Sequence, residues 1–182
     1  IAKHELATGG SHDFEMPTDM FAHLQQALVL TKMHCHCSIN NVKVLESAGI
    51  NYVVLHRDLR DVAVSYHFYV QNTPWHPEHK HHAKANVQEG LHVFANRMLP
   101  GYVQWVESWA CNANPEHSIQ IKYEEMLKNP VDGMTRIASL FELDHSKETI
   151  ESIVDAHSFK KMSGGRTRGE SSTTAFARKG VA

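Results

Sequence analysis

The stretch from Asn51 to Phe68 limits the choice of fold more than any other part of the chain: Asn51-Tyr-Val-Val-Leu-His-Arg-Asp-Leu-Arg-Asp-Val-Ala-Val-Ser-Tyr-His-Phe68. Tyr52 to Leu55 is a short apolar, β-branched run, the pattern of a buried strand. Arg57 interrupts it with charge. Asp58 or Asp61 can cap a new element, in which Val62, Ser65, Tyr66 and Tyr69 recur at helical spacing. The predicted order is strand, charged turn, helix. In parallel α/β sheets ligands bind at the carboxyl ends of strands, where helix N-termini offer N–H groups to anions. Arg57 leaving the strand and Ser65 early in the helix form a candidate phosphate clamp, one guanidinium fork with one hydroxyl.

The remaining elements extend this pattern. Residues 1–26 read as an irregular N-terminal segment, with a short helix at Phe21–Gln26. Ala27-Leu-Val-Leu-Thr-Lys32 reads as a strand that runs into Met33-His-Cys-His-Cys37. Asn41 to Gly49 is an amphipathic helix closed by Gly49. After the central stretch, Asn72 to His82 is a Pro- and His-rich loop. Leu91, Phe94, Ala95 and Met98 share one helical face. Pro100-Gly101 is expected to break the run before Tyr102, Trp105, Val106 and Trp109 repeat the spacing as core. Ser118-Ile-Gln-Ile-Lys-Tyr123 is a second clear strand. Asn129-Pro130 starts a helix that buries Met134, Ile137, Ala138 and Phe141. A further helix, Ser146 to His157, buries Ile150, Ile153 and Val154. Strands separated by helices, with no hairpin signal, predict an α/β fold with a parallel sheet flanked by helices.

At 182 residues the chain is expected to form a single domain. Its net charge of −2 argues against a nucleic-acid partner. Charge is nonetheless uneven: residues 159–182 hold six Lys or Arg against one Glu, and 163–182 read as a flexible basic loop. Three cysteines do not make a disulfide framework. No apolar run is long enough to span a bilayer and no signal peptide is visible, so no membrane partner is predicted and the cytoplasm is the expected compartment.

Arg57-Asp-Leu-Arg-Asp-Val-Ala-Val-Ser65 resembles the 3′-phosphate-binding segment of the sulfotransferases that use 3′-phosphoadenosine 5′-phosphosulfate (PAPS), with Leu59 where many members have Pro. Four further segments follow the family's order. Lys32-Met-His34 is similar to its catalytic Lys-x-His. Tyr123-Glu-Glu-Met-Leu-Lys-Asn-Pro130 resembles its Tyr-Glu-Asp-Leu…Asn-Pro segment. His157-Ser-Phe159…Met162 is similar to Thr-Ser-Phe…Met, with His157 departing from Thr. Arg178-Lys179-Gly180 matches Arg-Lys-Gly. The resemblance implies a P-loop NTPase-like sulfotransferase fold and transfer of a sulfuryl group from PAPS to a hydroxyl or amine on a small-molecule acceptor. PAP (3′-phosphoadenosine 5′-phosphate) would be the product, and no metal would be needed. It also implies the site: His34 as general base and Lys32 supporting the transferring group. Arg57, Ser65, Arg178, Lys179 and Gly180 would lie on the 3′-phosphate, with Tyr123 and Phe159 at adenine. Such chemistry suits a His near neutral pH and cations beside the developing charge.

The likeness covers about residues 28 to 180. The family's N-terminal Pro-Lys-Ser-Gly-Thr-Thr-Trp-like loop for the 5′-phosphosulfate has no counterpart, and the chain stops two residues after Gly180. These features predict a chain truncated at both ends, with weakened turnover. A catalytically inert, PAP-binding relative is the main alternative. A nucleotide kinase relative is disfavoured by the missing Walker loop. Metal binding at His34-Cys-His-Cys37 or at His76–His82 is disfavoured because structural zinc sites favour spaced pairs such as Cys-x-x-Cys.

Overall fold

The computed structural model describes residues 14–22, 30–143 and 146–170. It divides into two compact units, one made of residues 1–54 and 101–120, the other of residues 55–100 and 121–182. In chain order the elements are α1 (Ile39–Ser47), β1 (Tyr52–His56), α2 (Leu59–Gln71), α3 (His79–His82), α4 (Val87–Arg97) and α5 (Leu99–Asn112). They continue with β2 (Ser118–Lys122), α6 (Tyr123–Lys128), α7 (Pro130–Leu140), α8 (Lys147–Ala156) and α9 (Phe159–Met162). β1 and β2 are parallel neighbours in one sheet.

The first unit packs Met16, Phe21, Cys35, Cys37, Val44, Leu45, Val54 and Trp109 into its core. α1 starts where the Ser38 hydroxyl accepts the Asn41 N–H at 3.0 Å, a cap of about 1 kcal/mol. It ends at Gly49, whose φ of 62° lets the Ile50 N–H return to the Leu45 carbonyl at 3.0 Å. Asn41 is fully buried and ties three chain segments together. Its Oδ1 accepts the Met16 N–H at 2.7 Å, and its Nδ2 donates to the Phe14 and His36 carbonyls, both at 2.9 Å. Trp105 and Trp109, one helical turn apart on α5, both donate their indole N–H to the Cys35 carbonyl, at 2.7 and 2.9 Å.

In the second unit, Asp58 caps α2 through the Arg60 N–H at 2.9 Å. α2 buries Ala63, Tyr66, His67 and Val70, and Phe94 of α4 packs edge-on against Tyr66. α3 contributes His82, whose Nδ1 lies 3.0 Å from Nδ1 of His67, both side chains being fully buried. Gly90 of α4 makes room for this pair, since a Cβ there would sit 2.1 Å from the His67 Nδ1. Glu78 accepts from the Arg97 guanidinium at 2.6 and 2.9 Å and so ties the end of the His-rich segment to α4. α4 opens with a reciprocal cap between Asn86 and Glu89.

Several sequence expectations are corrected here. Residues 30–32 are not strand, and Leu30 is 96% exposed. A strand in a covered sheet would bury that side chain, and among the described residues the ladder joins β1 to β2 alone. The rest of that predicted strand, 27–29, and most of the Phe21–Gln26 helix lie outside the described residues. The break between α4 and α5 falls at Met98, because Pro100 sits comfortably in the first turn of α5. Ala95 is exposed, the buried face of α4 being Gly90 and Phe94. The expected His-rich loop contains one turn of helix, α3. β2 stops at Lys122: Tyr123 opens α6, with Glu124 and Glu125 placing negative charge at its first turn. Phe141 is exposed rather than buried. It follows the last turn of α7, where Glu142 adopts φ 51° and sends the Leu143 N–H back to the Ala138 carbonyl. Ile153 on α8 is also exposed, while Ile150 is buried.

Candidate functional site

β1 delivers His56 and then Arg57 at its carboxyl end, and Asp58 immediately turns the chain into α2. Burial, with Lys122 nearby, lowers the pKa of His56 and favours its neutral form. The Arg57 guanidinium lies over the Tyr123 ring, 4.6 Å from its centroid. Its Nη2 is 3.7 Å from Oδ2 of Asp61, a loose i,i+4 ion pair with both side chains about a third exposed or less (26% and 35%). Glu124, next to Tyr123, accepts the backbone N–H of Asp58 at 3.0 Å. The Asp58 carboxylate is taken up by the Arg60 guanidinium and N–H, which hold its pKa at about 2. Ser65 is half-buried on α2, six residues after Leu59.

Phe159 opens α9, and Arg166 lies over its ring at 5.4 Å. Arg168 donates to the Leu127 carbonyl at 3.2 Å. Arg178, Lys179 and Gly180 lie outside the described residues. Lys32 and His34 belong to the first unit, both exposed on a non-helical segment. Burial alternates along that segment, with Cys35 and Cys37 inward. Burial raises the pKa of each thiol to about 11, which disfavours the thiolates a metal would need. No group of three or more His, Cys, Asp or Glu suited to a metal ion occurs among the described residues.

Of the residues picked from sequence, Arg57 and Tyr123 are thus brought into direct contact. Glu124, Asp61 and Arg166 were not picked. The first two could have been found from their spacing, Asp61 by i,i+4 to Arg57 and Glu124 as the neighbour of Tyr123. The contact of Glu124 with the Asp58 amide, 66 positions away in sequence, carries no local signal.

The sulfotransferase domain pattern matches residues 11–182. The chain belongs to the sulfotransferase domain family. Solved structures agree on the fold. Mouse sulfotransferase SULT7A1 complexed with PAP superimposes with a TM-score of 0.66 at 19% identity, over 90% of this chain and 61% of that one. Retinol dehydratase in complex with androsterone and the inactive cofactor PAP gives a TM-score of 0.60 at 21% identity, over 78% and 41%. This sulfotransferase domain therefore spans less than two thirds of the length of either protein. No curated protein matches the sequence. No helix among the described residues is long and apolar enough to cross a membrane.

Proposed function

We propose that this sulfotransferase domain transfers a sulfuryl group from PAPS to a hydroxyl or amine on a small-molecule acceptor in the cytoplasm, by in-line displacement. The observation that supports this most is the Arg57 guanidinium stacked on Tyr123 at the carboxyl end of β1, in a chain of this family. The residues fit a 3′-phosphorylated adenosine. A partly exposed cation suits the phosphate, and an aromatic ring beside it suits the nucleobase.

When bound, PAPS supplies the sulfuryl group, with its own phosphate as leaving group. The chain's residues bind, orient and move the proton. Arg57 and Ser65 hold the 3′-phosphate, joined by Arg178, Lys179 and Gly180, while Tyr123 and Phe159 flank adenine. His34 takes the proton from the attacking hydroxyl as the new S–O bond forms. Lys32 meets the charge that grows on the transferring group and the departing oxygen.

Calorimetric titration with PAP, using adenosine 5′-phosphate as the control, tests the 3′-phosphate site. PAP is expected to bind well above the control, and equal affinities would remove the site. Arg57→Ala is expected to weaken PAP binding by ~1.5–3 kcal/mol, the scale of a charged hydrogen bond, with little change in adenosine 5′-phosphate binding. Unchanged PAP affinity in that variant would take Arg57 out of the site.

A further inference from the structure

Arg57 is held in a turn of only two residues between β1 and α2, and the direction of that turn decides where its guanidinium points. Besides the loose ion pair with Asp61 at 3.7 Å, two contacts from one dipeptide act on it. The Tyr123 ring lies beneath the guanidinium, and the Glu124 carboxylate accepts the N–H of Asp58, the very next residue. The Asp58 side chain is engaged elsewhere, by Arg60, so the turn is secured on this side through its backbone. A carboxylate beside an arm meant for a phosphate is electrostatically unfavourable to the ligand, which calls for a compensating role.

We propose that Glu124 is a positioning residue for the 3′-phosphate of the nucleotide. By accepting the Asp58 N–H it holds Arg57 at the angle that receives the phosphate, without touching the ligand. This rests on the PAPS reading above, and it assigns to Glu124 a part in choosing 3′-phosphorylated nucleotides over adenosine 5′-phosphate.

The role of Glu124 is as an acceptor, so Gln, which keeps an oxygen at the same place, preserves it and Ala does not. In the 182-residue chain, the affinity ratio of PAP to adenosine 5′-phosphate is read by calorimetry for the parent, Glu124→Gln and Glu124→Ala, and each is checked by thermal melting. Glu124→Ala is expected to lower the ratio about tenfold, the scale of one lost hydrogen bond, while adenosine 5′-phosphate binding stays within about twofold. Glu124→Gln is expected to keep the parent ratio. In an Arg57→Ala background, Glu124→Ala should change the ratio no further, since it acts through Arg57.

Equal loss of both nucleotides in Glu124→Ala would mean a general structural role and overturn the proposal. So would an unchanged ratio, or a Gln variant as poor as the Ala variant. A parent chain that does not prefer PAP at all would instead sink the underlying PAPS reading, and the proposal with it.

Discussion

Replacing His34 with alanine is expected to lower sulfuryl transfer by about 10²–10⁴-fold, the usual contribution of a positioned general base, while PAP affinity stays the same. The side chain is exposed, so its removal opens no cavity. The neighbouring Cys35 carbonyl remains pinned by two indole donors, which keeps the segment in place without the imidazole. Initial rates with PAPS and a panel of simple alcohols and amines, measured beside a PAP titration, separate the two effects. A variant that turns over like the parent would discard the base assignment. Loss of rate together with loss of PAP binding would point to a binding role instead.

The second large effect is expected at Gly90. An alanine Cβ would lie 2.1 Å from Nδ1 of His67 and 2.7 Å from its Cγ and Cε1. The imidazole has nowhere to retreat, being 1% exposed, and Nδ1, the atom the Cβ would strike, is the one that meets His82 at 3.0 Å. Alanine is the better helix former by ~1 kcal/mol, yet overpacking a rigid core site costs about 1–3 kcal/mol and the His67–His82 bond is forfeited as well. Gly90→Ala is therefore expected to destabilise the second unit by about 1–3 kcal/mol net, read as a lower urea midpoint. A midpoint equal to the parent's would show that His67 does not occupy this position.

The same pair makes stability depend on pH. One ring must donate from Nδ1 and the other accept. Among the described residues Nε2 of His82 is buried with no hydrogen-bond partner, and a bare acceptor there costs less than an orphaned N–H, so His82 is the donor. Burial lowers the pKa of both rings below the ordinary histidine value of about 6.5. For His82 the nearby imidazoles of His67, His81 and His76 push the same way, against Glu78. The unfolded chain therefore takes up protons first as pH falls. The stabilisation is whole above about pH 6.5 and is lost progressively below it, until the folded rings themselves protonate. Urea midpoints at pH 7.5 and 5.5 are expected to differ in that direction, and less so in His67→Phe. A midpoint insensitive to pH across this range would argue that the pair is charged or hydrated in the folded protein.

How far the sequence disclosed this molecule depended on whether the signal was local. β1, the Asp58 cap, α2 and the Asn129-Pro130 helix start were legible because caps, β-branched runs and helical spacing act over a few residues. Arg57 and Tyr123 were each singled out by likeness to family segments, Arg57 for the 3′-phosphate and Tyr123 for adenine, and the structure puts the guanidinium 4.6 Å from the ring centroid. What stayed hidden was long-range or steric. Glu124 reaches an amide 66 positions away, and Asn41 braces Met16 25 positions away. His67 and His82 read as two among 15 histidines, and nothing local says that they face each other. Nothing local to Gly90 says that a Cβ there would strike His67, 23 positions away. Phe141 misled because the helical spacing runs one residue past the end of α7 at Leu140, just before Glu142 turns the chain.

The indoles carry an optical consequence. Of the three tryptophans, Trp105 and Trp109 lie in the first unit with their N–H groups sharing one carbonyl, whereas Trp75, in the second, is 78% exposed. The ring that opening of the second unit would newly wet is already wet. Emission wavelength is thus apportioned between the units, and the chain has an intrinsic fluorescent label for the half that bears Lys32 and His34.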